Sequence, residues 1–235
     1  MYYSPYIDAL FIVLVFALVG VAVSAIRRAA GRGVPLPPYW LGLRLGLLGW
    51  LLLTAAIASS GFFSDFSTLP PHLTLAIAPA FLAMLALGFS PWAGRFALGC
   101  SHPGILYVQS FRIVMEIILW LLYQDEAMPR VMTFEGRNFD LFTGVTALIL
   151  AVLWQRGLLR SKPLLVAWNW AGIAILALTV SQGLLSAPTR FQMIHEEVDN
   201  VLIGGFPFIW LPTFVVPFAF LLHILSLRKL RAEEG

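Results

Sequence analysis

Residues Gly104–Tyr123, GILYVQSFRIVMEIILWLLY, form an apolar run of twenty positions that carries Gln109, Arg112 and Glu116 within it. As one helix rising ~1.5 Å per residue, the run is long enough to cross the ~30 Å hydrocarbon core of a bilayer. Offsets of three and four residues place the three polar side chains on one helical face. That face cannot point at lipid, because an ionised side chain at the bilayer centre costs ~3 kcal/mol or more unless it meets a partner or water. Counted from Gly104, Arg112 lies ~12 Å and Glu116 ~18 Å into the hydrocarbon, so both sit near the midplane.

The rest of the chain has the same character. With 60% hydrophobic and 11% charged residues among 235, and a mean hydropathy of +0.86, a soluble domain with one buried core is excluded. Apolar runs recur seven times, at Tyr6 to Ile26, Pro38 to Ser59, Leu73 to Phe89, Gly104 to Tyr123, Leu141 to Gln155, Pro163 to Leu185 and Pro207 to Leu227. The expected fold is therefore an all-α polytopic membrane protein: one transmembrane domain of seven helices spanning residues 1–235.

Basic residues set the expected orientation. Arg27, Arg28, Arg32, Arg95, Arg156, Arg160, Lys162, Arg228, Lys229 and Arg231 fall in connections one, three and five and in the C-terminal tail, ten of the fifteen Lys and Arg. Arg130, Arg137 and Arg190 fall on the other side, with Arg44 and Arg112 inside spans. The positive-inside rule puts the N-terminus outside and the C-terminus in the cytoplasm of a plasma (inner) membrane. Trp40, Trp92, Trp154 and Trp168 then mark the inner interface, and Tyr2, Tyr3, Tyr6, Tyr123 and Trp210 the outer one. A net charge of +3 follows from this topology and is no argument for nucleic acid. The opening MYYSPYIDAL lacks a basic n-region, so the first span reads as retained rather than as a cleaved signal.

Several chemistries find no support. Walker and dinucleotide signatures are missing from the sequence, and Gly31-Arg-Gly33 reads as a turn. Lys162 and Lys229, the only lysines, lie at the cytoplasmic side, and only His223 is a histidine within a span, which argues against retinal or bis-histidine haem. Cys100, the single cysteine, reads with His102 as an interfacial thiol and a helix-start histidine. No cofactor and no resident metal are expected. His195-Glu-Glu-Val-Asp199 lacks the second histidine of a zinc helix, which leaves metal-dependent hydrolysis as a second alternative only.

A weak repeat relates residues 6–89 to 138–227, with the helix 104–123 between them. Asp8 in Tyr-Ile-Asp-Ala-Leu-Phe matches Asp140 in Asn-Phe-Asp-Leu-Phe, and an alignment of Pro38 on Pro163 sets Thr54 on Thr179. This three-plus-one-plus-three arrangement resembles the seven-helix sugar transporters, which also place the N-terminus outside. The resemblance is of architecture. The Pro-Gln pair of that family's helix kink is missing, and the fourth span, a linker there, is the most polar here. Met-Thr-Phe-Glu135-Gly-Arg137-Asn-Phe-Asp140 and Trp168-Asn169-Trp170-Ala-Gly resemble patterns in bacterial polytopic membrane proteins with no assigned function.

Candidate sites follow from depth. Arg112, Glu116, Gln109, Asn169, Gln182 and Asp8 form a candidate ligand-binding group at mid-membrane, with Thr179 and Ser181 as further partners. Spacing also allows Arg112 and Glu116 to neutralise each other on their own helix, although Arg before Glu is the poorer order. Glu135, Arg137, Asp140, His195 and Glu196 form an outer vestibule, beneath an amphipathic helical cap expected over Gln192 to Asn200. Arg44 reads as a snorkelling residue and His223 as a packed one. Gly42, Gly46 and Gly49, and Ala167, Ala171 and Ala174, read as close-packing faces. Pro79, Pro212 and Pro217 kink the third and seventh spans. The expected function is a small-molecule or ion carrier, possibly coupled to protons, working on an unknown small polar solute in the bilayer. A ligand-binding or signalling seven-helix protein is the alternative.

Overall fold

A computed structural model describes residues 3–37 and 39–233 of the chain. Tyr2 and Pro38, read above as an outer aromatic and a span boundary, lie outside the described residues. The chain runs through nine α-helices among those residues: α1 (Tyr6–Gly31), α2 (Trp40–Ser59), α3 (Thr74–Phe89), α4 (Pro91–Gly99), α5 (His102–Gln109), α6 (Phe111–Gln124), α7 (Asp140–Gln155), α8 (Lys162–Leu185) and α9 (Val216–Ala232). No strand occurs among them.

Five stretches are long and apolar enough to cross a membrane: α1, α2, α5 with α6 (His102–Gln124), α8, and Leu211–Ala232. The pair α3 and α4, bent by 67°, is a sixth if taken as one span. The 16-residue α7 is apolar but shorter. The chain is thus a helical membrane protein.

Serine and proline set three helix starts at the basic end. Ser90, Ser101 and Ser161 each accept a hydrogen bond from a backbone N–H three residues on, at 3.1, 3.1 and 3.3 Å. Proline follows within two residues in each case, where its missing N–H is not needed. Arg228 explains the sharp turn between α3 and α4: its guanidinium donates to the Gly88 and Ser90 carbonyls at 2.6 and 2.7 Å, groups the broken helix leaves unpaired.

Proline shapes the other long break. Leu211–Val215 is one wide π-helical turn before Pro217. Pro217 has no N–H for the Thr213 carbonyl four residues back. The indole Nε1 of Trp50 donates to that carbonyl instead, at 3.3 Å, and Trp210 Nε1 donates to the Leu51 carbonyl at 3.0 Å. These two bonds tie α2 to the bundle at mid-height.

The centre is formed by α5–α6 and Leu211–Ala232, each 56% buried in its most apolar window, against 22% for α1 and 17% for α2. The last turn of α9 is latched at the basic end. Glu233 pairs with Lys229 at 2.9 Å, with Lys162 at 3.5 Å and with His102 at 3.0 Å, joining the starts of α5 and α8 to the end of α9. Burial pushes the Glu233 carboxyl up, but hydrogen bonds and charge from His102 and Lys229 outweigh it and hold the group at about 2. His102 is therefore more than a helix-start residue.

Three sequence expectations fail here. Residues 192–200 are irregular, not a helical cap. The N–H groups of Met193 and Ile194 donate to the Leu185 carbonyl at 3.0 Å, and Asn200 donates to the Ser186 and Gly183 carbonyls at 3.0 Å, so tertiary bonds claim the groups a helix would use. A Cβ on Gly42, Gly46 or Gly49 would meet nothing within 4 Å, so the α2 glycines are not a packing face. Ala167, Ala171 and Ala174 are exposed as well. In a bilayer, small residues do not by themselves generate a helix contact when lipid solvates the face equally well.

Candidate functional site

The polar face of α5 and α6 meets the non-helical chain before α7, the first residue of α7 and the middle of α9. A break at Ser110 separates the two helices; the Ser110 hydroxyl donates to the Tyr107 carbonyl at 2.7 Å, a local bond that competes with the helical ladder. Below the break Gln109 is 0% exposed, and above it Arg112 and Glu116 are each 1% exposed.

Arg112 donates from all three nitrogens of its guanidinium. Nε donates to Gln109 Oε1 at 3.2 Å, Nη1 donates to Asp140 Oδ1 in a buried ion pair, and Nη2 donates to His223 Nε2 at 3.1 Å. Arginine has no acceptor, so His223 Nε2 must accept; the imidazole proton is then on Nδ1, which donates to Asn169 Oδ1 at 2.9 Å. Asn169 in turn donates to Ser226 Oγ at 2.9 Å and to the Leu165 carbonyl at 2.7 Å. Glycine makes room for this convergence. A Cβ on Gly172 would overlap the His223 ring, and one on Gly144 would press on Arg112.

Glu116 belongs to a second branch. Its Oε1 accepts from Asn138 Nδ2 at 2.5 Å, while Asn138 Oδ1 accepts from Thr179 Oγ1 at 2.9 Å and from the Asp140 backbone N–H at 3.0 Å. The last bond is an Asx turn that starts α7 and fixes Asp140 in its first turn, where the helix dipole favours a carboxylate. Arg112 and Glu116 therefore do not neutralise each other as spacing allowed. Asn138, brought inward on the non-helical chain before α7, and Asp140, the first residue of α7, take those roles.

Six buried polar atoms have no partner among the described residues: His102 Nδ1 at the basic end, and Gln109 Nε2, Glu116 Oε2, Thr143 Oγ1, Gln182 Oε1 and Asn200 Oδ1. Glu116 and Asn200 line one cavity of about 80 Å³ together with Asn138, Asp140 and Thr179. Its apolar wall includes Pro212 and Val215 of the π-helical turn.

The remaining candidates disperse. Asp8 accepts from the Tyr3 hydroxyl at 2.8 Å, a contact of the N-terminal turn, and is not part of the group around Arg112. Gln182 touches the edge, donating to the Arg137 carbonyl at 3.2 Å. Ser181 is exposed and bonds its own helix. Of the vestibule residues, Asp140 is buried and belongs to the core of the site. Glu135 is exposed and accepts from Trp120 Nε1 at 2.8 Å; Arg137 and His195 are exposed. Glu196 accepts from the Val131 N–H at 3.2 Å and so fastens the long connection between α8 and Leu211 to the Arg130–Met132 turn. Among the described residues no three of His, Cys, Asp and Glu gather as a metal site would require.

A family model described as a domain of unknown function, DUF8737, matches residues 69–231. The chain belongs to this family. The match takes in every residue of the Arg112 and Glu116 branches. No curated protein and no solved structure matches the chain.

Proposed function

We propose that this DUF8737 protein is a carrier for a small polar solute or ion, coupled to movement of a proton or cation through the Glu116 cavity. The observation that carries the reading is a charge count. Arg112 is the one guanidinium beside two buried carboxylates, Glu116 and Asp140, and its other nitrogen faces an uncharged His223. Burying an uncompensated charge is far more expensive than burying a paired one, so one negative charge calls for a proton or a cation. Glu116 Oε2, without a partner and beside the cavity, is the atom that takes it.

The surroundings suit a carrier. Irregular backbone within a membrane is tolerated where it is buried in protein or lines a cavity, as the Asn138 segment does, and transporters build mid-membrane sites from such interrupted elements. The π-helical turn at Leu211–Val215 forms the opposite wall, and π turns concentrate at functional positions. A cavity of about 80 Å³ holds water or an ion in this conformation, so a larger solute enters when the α9 side moves.

In this reading the chain crosses the plasma membrane seven times. The pair α3–α4 forms one crossing and the short α7 another, with the N-terminus outside and the basic, Glu233-latched end in the cytoplasm. Currents recorded on solid-supported membranes, during exchange of amino acids, sugars, organic cations and alkali cations, test the proposal. A solute-dependent current lost in Glu116→Gln is expected; silence toward every solute class, with folded protein present, opposes it.

A further inference from the structure

A second cavity, of about 540 Å³, lies between α2 and the body of the bundle and is separate from the Glu116 site. This volume is in the range of ligand pockets. The cavity exists because α2 leans away at one end. Its buried residues, Leu51, Thr54 and Ala58, all belong to its second half. None of Trp40 to Gly49 is buried, and the Cβ positions of Gly42 and Gly46, which line the cavity, meet nothing.

Two features say what fits there. The first is length. The α2 wall runs from Trp40 to Trp50, ten helical rises or ~15 Å, which is half of a ~30 Å hydrocarbon core. It starts beside Ile26 and Trp92 at the basic end and closes at mid-height on Pro217. The depth is that of one leaflet. The second is charge. Arg44, half-buried on the same wall, lies over the Trp40 ring with its guanidinium carbon 5.6 Å from the centroid, and it makes no ion pair among the described residues. Almost every other lining group is apolar.

We infer that this cavity holds one acyl chain of an anionic phospholipid from the leaflet on the basic side, with the lipid phosphate at Arg44. An arginine near the interface binds phosphate while its stem stays in hydrocarbon. A zwitterionic lipid offers the same chain without the net charge, so headgroup preference rests on Arg44 and chain capture on the space beside Gly42 and Gly46. The inference needs only the membrane class of the chain and is independent of carrier activity.

Native mass spectrometry of the full chain in detergent, with dimyristoyl phosphatidylglycerol and dimyristoyl phosphatidylcholine at equal concentration, tests it. One phosphatidylglycerol per chain is expected, at about fivefold higher occupancy than phosphatidylcholine, the size of one basic side chain's attraction for anionic lipid. Gly46→Trp, which fills the cavity, should remove the bound lipid, and Gly42→Phe should do the same if the first variant fails to fold. Arg44→Gln should keep a bound lipid and lose the preference. Undiminished binding in a folded cavity-filled variant, a preference that survives Arg44→Gln, or a dimer without lipid would each overturn the inference.

Discussion

Arg112 pairs with Asp140, 28 residues on, rather than with Glu116 four residues on in its own helix. The choice is structural in origin. Asn138 starts α7 with an Asx turn that directs Asp140 at the guanidinium, and the same Asn138 holds Glu116 by its other branch. One asparagine therefore couples the two carboxylates.

Removing one partner of the buried pair should be severe. Arg112→Leu or Asp140→Leu leaves an uncompensated charge and should lower stability by ~3–5 kcal/mol, whereas the double variant should recover much of the loss. Thermal unfolding of the four proteins in one detergent gives the coupling directly.

Gly172→Ala should destabilise by ~1–3 kcal/mol, since the added methyl overlaps the His223 ring. In a His223→Ala background the same substitution should be close to neutral. Equal effects in both backgrounds would show that the glycine acts elsewhere.

Asn138→Ala should affect both branches. It removes the donor to Glu116 and the Asx turn at Asp140, so a loss of ~2–3 kcal/mol is expected from buried groups left without partners. Asn138→Asp, which keeps the turn acceptor but sets a third carboxylate beside Glu116, should be at least as damaging. Chemical denaturation at neutral pH compares the two.

Acid should release the C-terminal latch. Glu233 is held at about 2 when folded, against an ordinary value of 4.5. A lowered carboxyl stabilises the fold fully above the ordinary value, and that contribution is lost as pH falls through the folded value. Between pH 4.5 and about 2 the wild-type protein should therefore lose stability that Glu233→Gln never had. Melting temperatures of the two proteins should converge toward pH 2 and differ most above pH 4.5.

Much of this was readable in the sequence, for a physical reason. Lipid gives polar side chains no solvent, so Gln109, Arg112 and Glu116 declare a buried face by their depth alone, and Asn169 and Thr179, both on α8, belong to the network that this face meets. Apolar runs mark the spans, and the starts read at Gly104 and Pro163 fall within two residues of the starts of α5 and α8. The misses share one cause: position along a chain gives depth only while the chain is helical. Asp140 reads as a vestibule residue and Asn138 stands unmarked in a polar loop, yet the chain turns inward there and buries both. His223 looked isolated because the partners that make it part of the site, Arg112 and Asn169, lie 111 and 54 residues away. The α2 glycines show the reverse error, in which a pattern that permits close packing was taken as packing.

Proton movement bears most directly on the Glu116 site. Sealed proteoliposomes loaded with a pH-sensitive dye, held at an imposed membrane potential and presented with small polar solutes, report it without any label on the solute. Solute-dependent proton influx in the wild-type protein, abolished in Glu116→Gln at unchanged folding and retained in part in Glu116→Asp, is the expected result. Influx of equal size in Glu116→Gln, or none in the wild-type protein with any solute, would contradict a coupling site at Glu116.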